Sequence, residues 1–122
     1  MRLAALLLVA LLTCGCASLP SAPPDRDAGR PSAVWRPAAE PRAVLLALHG
    51  FNDHHTAFAE FGPWAAGHGV LVEAYDQRGF GANPDRGLWP GTAALTEDLR
   101  NAVRRLRAEH PGVPLFVLGE SM

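Results

Sequence analysis

Gly119-Glu120-Ser121-Met122 is the stretch of this sequence best equipped for chemistry. It follows an apolar run and matches the strand-to-helix turn Gly-x-Ser-x-Gly up to its final glycine. A serine hydroxyl attacks poorly until a base takes its proton. It also needs N–H donors for the oxyanion that attack on a carbonyl creates. On such a turn one donor is the N–H after the serine, here Met122. The second comes from the loop after an earlier strand. His49-Gly50-Phe51 is that loop: Gly50 lets the backbone come close, and the Phe51 N–H is the second donor. Gly-x-Ser alone is a weak signal, because a plain turn after a strand can contain it. A His-Gly pair behind a matching upstream strand strengthens it.

The elements that must hold these groups follow from apolar patterning. Residues 43–48 form a continuous apolar run ending in His49-Gly50. A run of that length bounded by turn residues suits a strand buried in a parallel sheet. A polar loop follows, then a helical stretch over 56–67 with Phe58, Phe61 and Ala65 on one side. Gly62-Pro63 should bend or split it, because proline lacks an N–H and clashes with the preceding turn. Residues 70–75 are a second strand and 76–90 a long loop. From Thr92 to His110, Leu95, Leu99, Val103 and Leu106 form one helical stripe. Glu97 and Asp98 come early and Arg104, Arg105 and Arg107 late, an order that suits the helix dipole. Residues 115–118 read as a third buried strand leading into the serine turn, and 32–36 as a short edge strand. Strand, helix, strand, helix, strand implies an α/β architecture, a mostly parallel sheet with flanking helices. All three noteworthy motifs fall at strand carboxyl ends, where active groups in such sheets collect.

The 122 residues fit one domain at most, and 48% are apolar, which is globular composition. Eleven Lys and Arg against twelve Asp and Glu give a net charge of −1. With no basic tract, nothing points to nucleic acid.

The first residues read as an address rather than as fold. Met1-Arg2 is a positive start, and residues 3–12 are an apolar run too short to span a bilayer. Leu12-Thr13-Cys14-Gly15-Cys16 resembles a bacterial lipobox, with Cys16 the better lipidation site because Gly15 precedes it. An ordinary signal peptide with incidental cysteines is the competing reading. Residues 1–16 are thus expected to be a signal peptide, 17–31 a flexible tether, and 32–122 the start of the folded domain. Export to the cell envelope is expected, with the membrane reached through the Cys16 anchor. Ala17 and Ser18 after the cysteine favour the outer membrane, by resemblance to such lipoproteins.

From about Ala43 onward the chain resembles the first half of an α/β-hydrolase domain. Within that fold it is similar to the monoacylglycerol lipase, lysophospholipase and serine aminopeptidase group. Leu48-His49-Gly50-Phe51, Tyr75-Asp76-Gln77-Arg78-Gly79-Phe80-Gly81 and Glu109-His110-Pro111-Gly112-Val113-Pro114-Leu115 carry the likeness. The resemblance implies Ser121 as nucleophile, Phe51 and Met122 as oxyanion donors, and structural roles for His49, Gly50, Asp76, Arg78, Gly79 and Gly119. It implies a serine hydrolase of carboxylic esters, acting on a small lipid or ester without a cofactor. The group commonly has His before the nucleophile, where this chain has Glu120. The fold's order is serine, acid, histidine, which puts both partners beyond Met122. The chain is therefore expected to be an inactive fragment with uncovered sheet edges. A peptidase of the same fold and a non-catalytic lipid-anchored binder are the alternatives.

His49, Asp53, His54 and His55 cluster in sequence without a zinc spacing, so a polar loop is expected rather than a metal. His68 and His110 fall at helix ends, and Trp64 and Trp89 are expected to pack. Phe51 could wall the site for an acyl chain or simply pack.

Overall fold

The structure, a computed structural model, describes residues 29–121. The expected signal peptide, Cys16, most of the tether and Met122 lie outside the described residues. In order the elements are β1 (Ser32–Trp35), β2 (Ala43–Leu48), a 3-10 turn (His55–Phe58), α1 (Phe61–Gly67), β3 (Val70–Tyr75), α2 (Thr92–Glu109) and β4 (Leu115–Gly119). The sheet runs β1-β3-β2-β4. β2 is parallel to both β3 and β4, whereas β1 is antiparallel to β3. The chain steps from β2 to β3 on one side, then crosses back to β4 on the other. Carboxyl ends of strands at such a reversal are where open α/β sheets bind ligands.

The pleat sorts the core into two faces. Val44, Leu46, Leu71 and Tyr75 meet Ala102 and Leu106 of α2. Ala47, Val72 and Ala74 point the other way, onto Phe58 and Ala65. Glu73 falls on the α2 face and is held by Arg105, which also reaches Glu109. Burial works against the Arg105 charge, but these carboxylates more than offset it and raise its pKa above that of an ordinary arginine.

Three expectations need correction. The 56–67 stretch does split, but at Ala59-Glu60 rather than at Gly62-Pro63. Pro63 occupies the first turn of α1, where its missing N–H has no intrahelical partner to lose. β4 is not buried: Phe116, Val117 and Leu118 are 58%, 45% and 39% exposed. The cause is position, since β4 is a sheet edge paired only with β2. α2 keeps its expected stripe on the core, with Leu106 buried and Leu99 and Val103 packed beside it, and also buries Asp98 and Ala102. Its first turn holds no acidic residue, so Glu97 and Asp98 do not serve the helix dipole.

Candidate active site

The site is assembled where β2 and β4 end side by side. Their ladder continues past the strands: the Glu120 N–H donates to the Leu48 carbonyl at 3.0 Å. One step further the Phe51 N–H donates to the Ser121 carbonyl at 2.9 Å. Ser121 is therefore exposed at the end of β4, within hydrogen-bond reach of the backbone nitrogen of Phe51. A side chain at Gly50 would collide with the Ser121 carbonyl oxygen, so glycine is what allows the two segments to run this close. Gly119 closes β4 in open surroundings.

His49 is buried beneath this crossing. Its Nε2 accepts the Gln77 N–H at 2.9 Å, so Nδ1 carries the proton and donates to the Gly50 carbonyl at 2.8 Å. Gln77 returns a bond from its amide to the His49 carbonyl at 2.6 Å. The loop after β2 is thus stitched to the loop after β3, and His49 is fully engaged in doing so.

Asp76, at the end of β3, holds both loops as well. Its Oδ1 accepts the His55 N–H and the His55 ring at 2.8 and 2.7 Å, and its Oδ2 accepts the Ala82 N–H at 2.8 Å. Burial alone would raise its pKa. The hydrogen bonds from His55 and Ala82, with the His55 charge, prevail and hold the carboxyl below its ordinary value. Arg78 forks onto Asp98 of α2. Gly79 has a φ of +82° and donates to Asp85. A side chain there would strike the Leu88 carbonyl, so the tip of the long loop folds back onto the turn. The Gly87 N–H closes the fold on the Gly79 carbonyl at 2.8 Å.

The histidine-rich loop does not converge on one point. His49 turns inward to Gln77, His55 to Asp76, and the His54 ring to the Thr56 hydroxyl at 2.6 Å. Among the described residues no cluster of His, Cys, Asp or Glu could hold a metal ion. His68 and His110 cap α1 and α2. Trp64 and Trp89, expected to pack, are 61% and 59% exposed; Trp64 meets the rings of Phe61 and His68, and Trp89 that of Phe80.

Sequence reasoning did not find Asn83, and it missed the bracing roles of Asp98 and His55. Asn83 donates to the carbonyls of Asp76, Gln77 and Phe80, bracing the whole turn. An asparagine in a glycine-rich turn was the available signal.

The two crossovers around β2 and the order β3-β2-β4 are those of an α/β-hydrolase fold, present here as part of a domain. The chain belongs to the family described as serine aminopeptidase, S33, whose model matches residues 39–122. It is 32% identical over 90 residues to a monoacylglycerol lipase of Mycolicibacterium smegmatis, covering 73% of this chain and 32% of that protein. It is 29% identical over 89 residues to human monoglyceride lipase, covering 72% and 29%. Among solved structures it resembles a soluble variant of Saccharomyces cerevisiae monoglyceride lipase in complex with a substrate analog. That likeness has a TM-score of 0.65 at 23% identity and covers 74% of this chain and 32% of the other. A thermostable carboxyl esterase from Bacillus coagulans aligns with a TM-score of 0.63 at 24% identity, covering 70% and 30%. The chain spans about a third of the length of the curated relatives it matches.

Proposed function

We propose that this chain supplies the nucleophile and one oxyanion donor of a serine hydrolase acting on carboxylic esters. The observation that carries the reading is the approach of Ser121 to the Phe51 nitrogen, 2.9 Å from carbonyl oxygen to N–H, at the carboxyl ends of adjacent parallel strands. Ser121 Oγ attacks the ester carbonyl carbon, giving up its proton to a histidine base. The oxyanion is held by the N–H groups of Phe51 and Met122. The alcohol leaves with the proton, and water then releases the acid and frees the serine. For this the Phe51 N–H must exchange the Ser121 carbonyl for the substrate oxygen.

Among the described residues no histidine is hydrogen-bonded to the Ser121 hydroxyl; His49, His54 and His55 are committed elsewhere. We therefore place the base outside them, and expect the 122-residue polypeptide alone to turn over no ester. The names of the relatives favour a monoacylglycerol; a lysophospholipid rests on the motif resemblance alone. The family description keeps a peptidase as second reading, separated by comparing monoacylglycerol with an aminoacyl amide as substrate. Export and anchoring at Cys16 belong to the same proposal and are tested by metabolic labelling with a palmitate analogue in wild type and Cys16→Ala. The nucleophile is tested with a fluorophosphonate probe on the full-length gene product. Labelling should vanish in Ser121→Ala, and persistent labelling would assign the nucleophile elsewhere.

A further inference from the structure

Phe51 combines two properties seldom needed together: its backbone nitrogen faces Ser121, and the residue is 66% exposed. An oxygen held at that nitrogen lies only a few bonds from the ring, so any chain attached to the bound carbonyl must pass close to it. The ring does not stand alone. It meets Phe80 edge-on, with centroids 5.4 Å apart. Phe80 is buried and also meets Trp89 edge-on, at 6.4 Å. His49 supports Phe80 from below at 5.8 Å. Leu88, 69% exposed, precedes Trp89 on the loop tip that Gly79 lets fold back onto the turn. Two large aromatic side chains, Phe51 and Trp89, are therefore held in the open by a buried one, with exposed Leu88 next to Trp89 on the same loop. Exposure of this kind is costly in water and marks a surface built for apolar contact.

Building on the ester-hydrolase reading of this site, we propose that Phe51, Leu88 and Trp89, backed by Phe80, form a platform that receives the acyl chain of the ester and sets a preference for long chains. Phe51 belongs to the reacting site through its backbone, and its ring starts the platform. Leu88 and Trp89 extend it outward along the loop after β3. Each methylene laid on such a surface gains part of the free energy of leaving water, so the preference grows with chain length.

The test uses two fluorophosphonates on the full-length gene product, one with an ethyl and one with a decyl chain. Each forms a Ser121 Oγ–P bond with loss of fluoride, and the ratio of the two labelling rates is the readout. The decyl compound should react at least about tenfold faster. In Trp89→Ala, and in Leu88→Ala with Trp89→Ala, that ratio should fall at least about threefold, with Trp89→Phe restoring most of it. Equal rates for the two compounds in wild type would overturn the platform while leaving the nucleophile intact. A long-chain preference that survives the double substitution would place the acyl chain elsewhere. No labelling by either compound would instead sink the nucleophile reading, and the platform with it.

Discussion

Arg78 and Asp98 are joined by two hydrogen bonds, Nη2 to Oδ1 at 2.6 Å and Nε to Oδ2 at 3.1 Å. The same carboxylate takes Arg30 at 2.9 Å and is itself 1% exposed. A buried carboxylate shared by two guanidinium groups cannot be removed without stranding their charge. Asp98→Ala should cost about 3 kcal/mol in urea unfolding. A loss below about 1 kcal/mol would mean that water replaces the carboxylate without difficulty.

Asp76 gives a pH dependence of fixed sign. Its pKa is depressed on folding below the ordinary 3.8, so the stability it contributes is present above that value and lost as pH falls through the lower folded value. The gap in stability between wild type and Asp76→Asn should narrow as pH falls below about pH 4. A gap that widens in acid would reverse the assigned sign.

Gly50→Ala tests the close approach of the two segments. The added methyl collides with the Ser121 backbone, so the serine segment and the Phe51 loop must separate, and a substrate carbonyl attacked at Ser121 no longer reaches the Phe51 N–H. Fluorophosphonate labelling should slow by about a hundredfold, the scale of losing one oxyanion donor. An unchanged rate would show that the Phe51 N–H takes no part.

β4 exposes an unpaired edge carrying Phe116, Val117 and Leu118. Such an edge invites pairing with another copy. The 122-residue polypeptide should self-associate in light scattering, and Val117→Lys should reduce the effect. Association that is insensitive to this charge would point to another surface.

The elements were legible wherever apolar residues alone define them. β2 and β3 coincide with the runs 43–48 and 70–75, and α2 with the stripe that begins at Thr92. What escaped was set by neighbours rather than by composition. Asp98 looks like a solvent-facing helical acid until Arg30 and Arg78 arrive from other segments. β4 is as apolar as a central strand, and nothing within it reveals that only one flank is paired. At the site, the His49-Gly50-Phe51 loop and the serine turn could be paired by motif. The stitching through Gln77, Asn83 and His55 could not, because those bonds join residues up to 28 positions apart.

The double grip of Asp98 has a mechanical consequence. Arg30 lies on the stretch leading into β1, and Arg78 on the turn beneath Ser121's neighbours, yet both end on one carboxylate of α2. Traction on the leading stretch is therefore borne by a helix side chain before it reaches the sheet. Whatever tethers this domain from its front pulls on the same clamp that steadies the turn after β3.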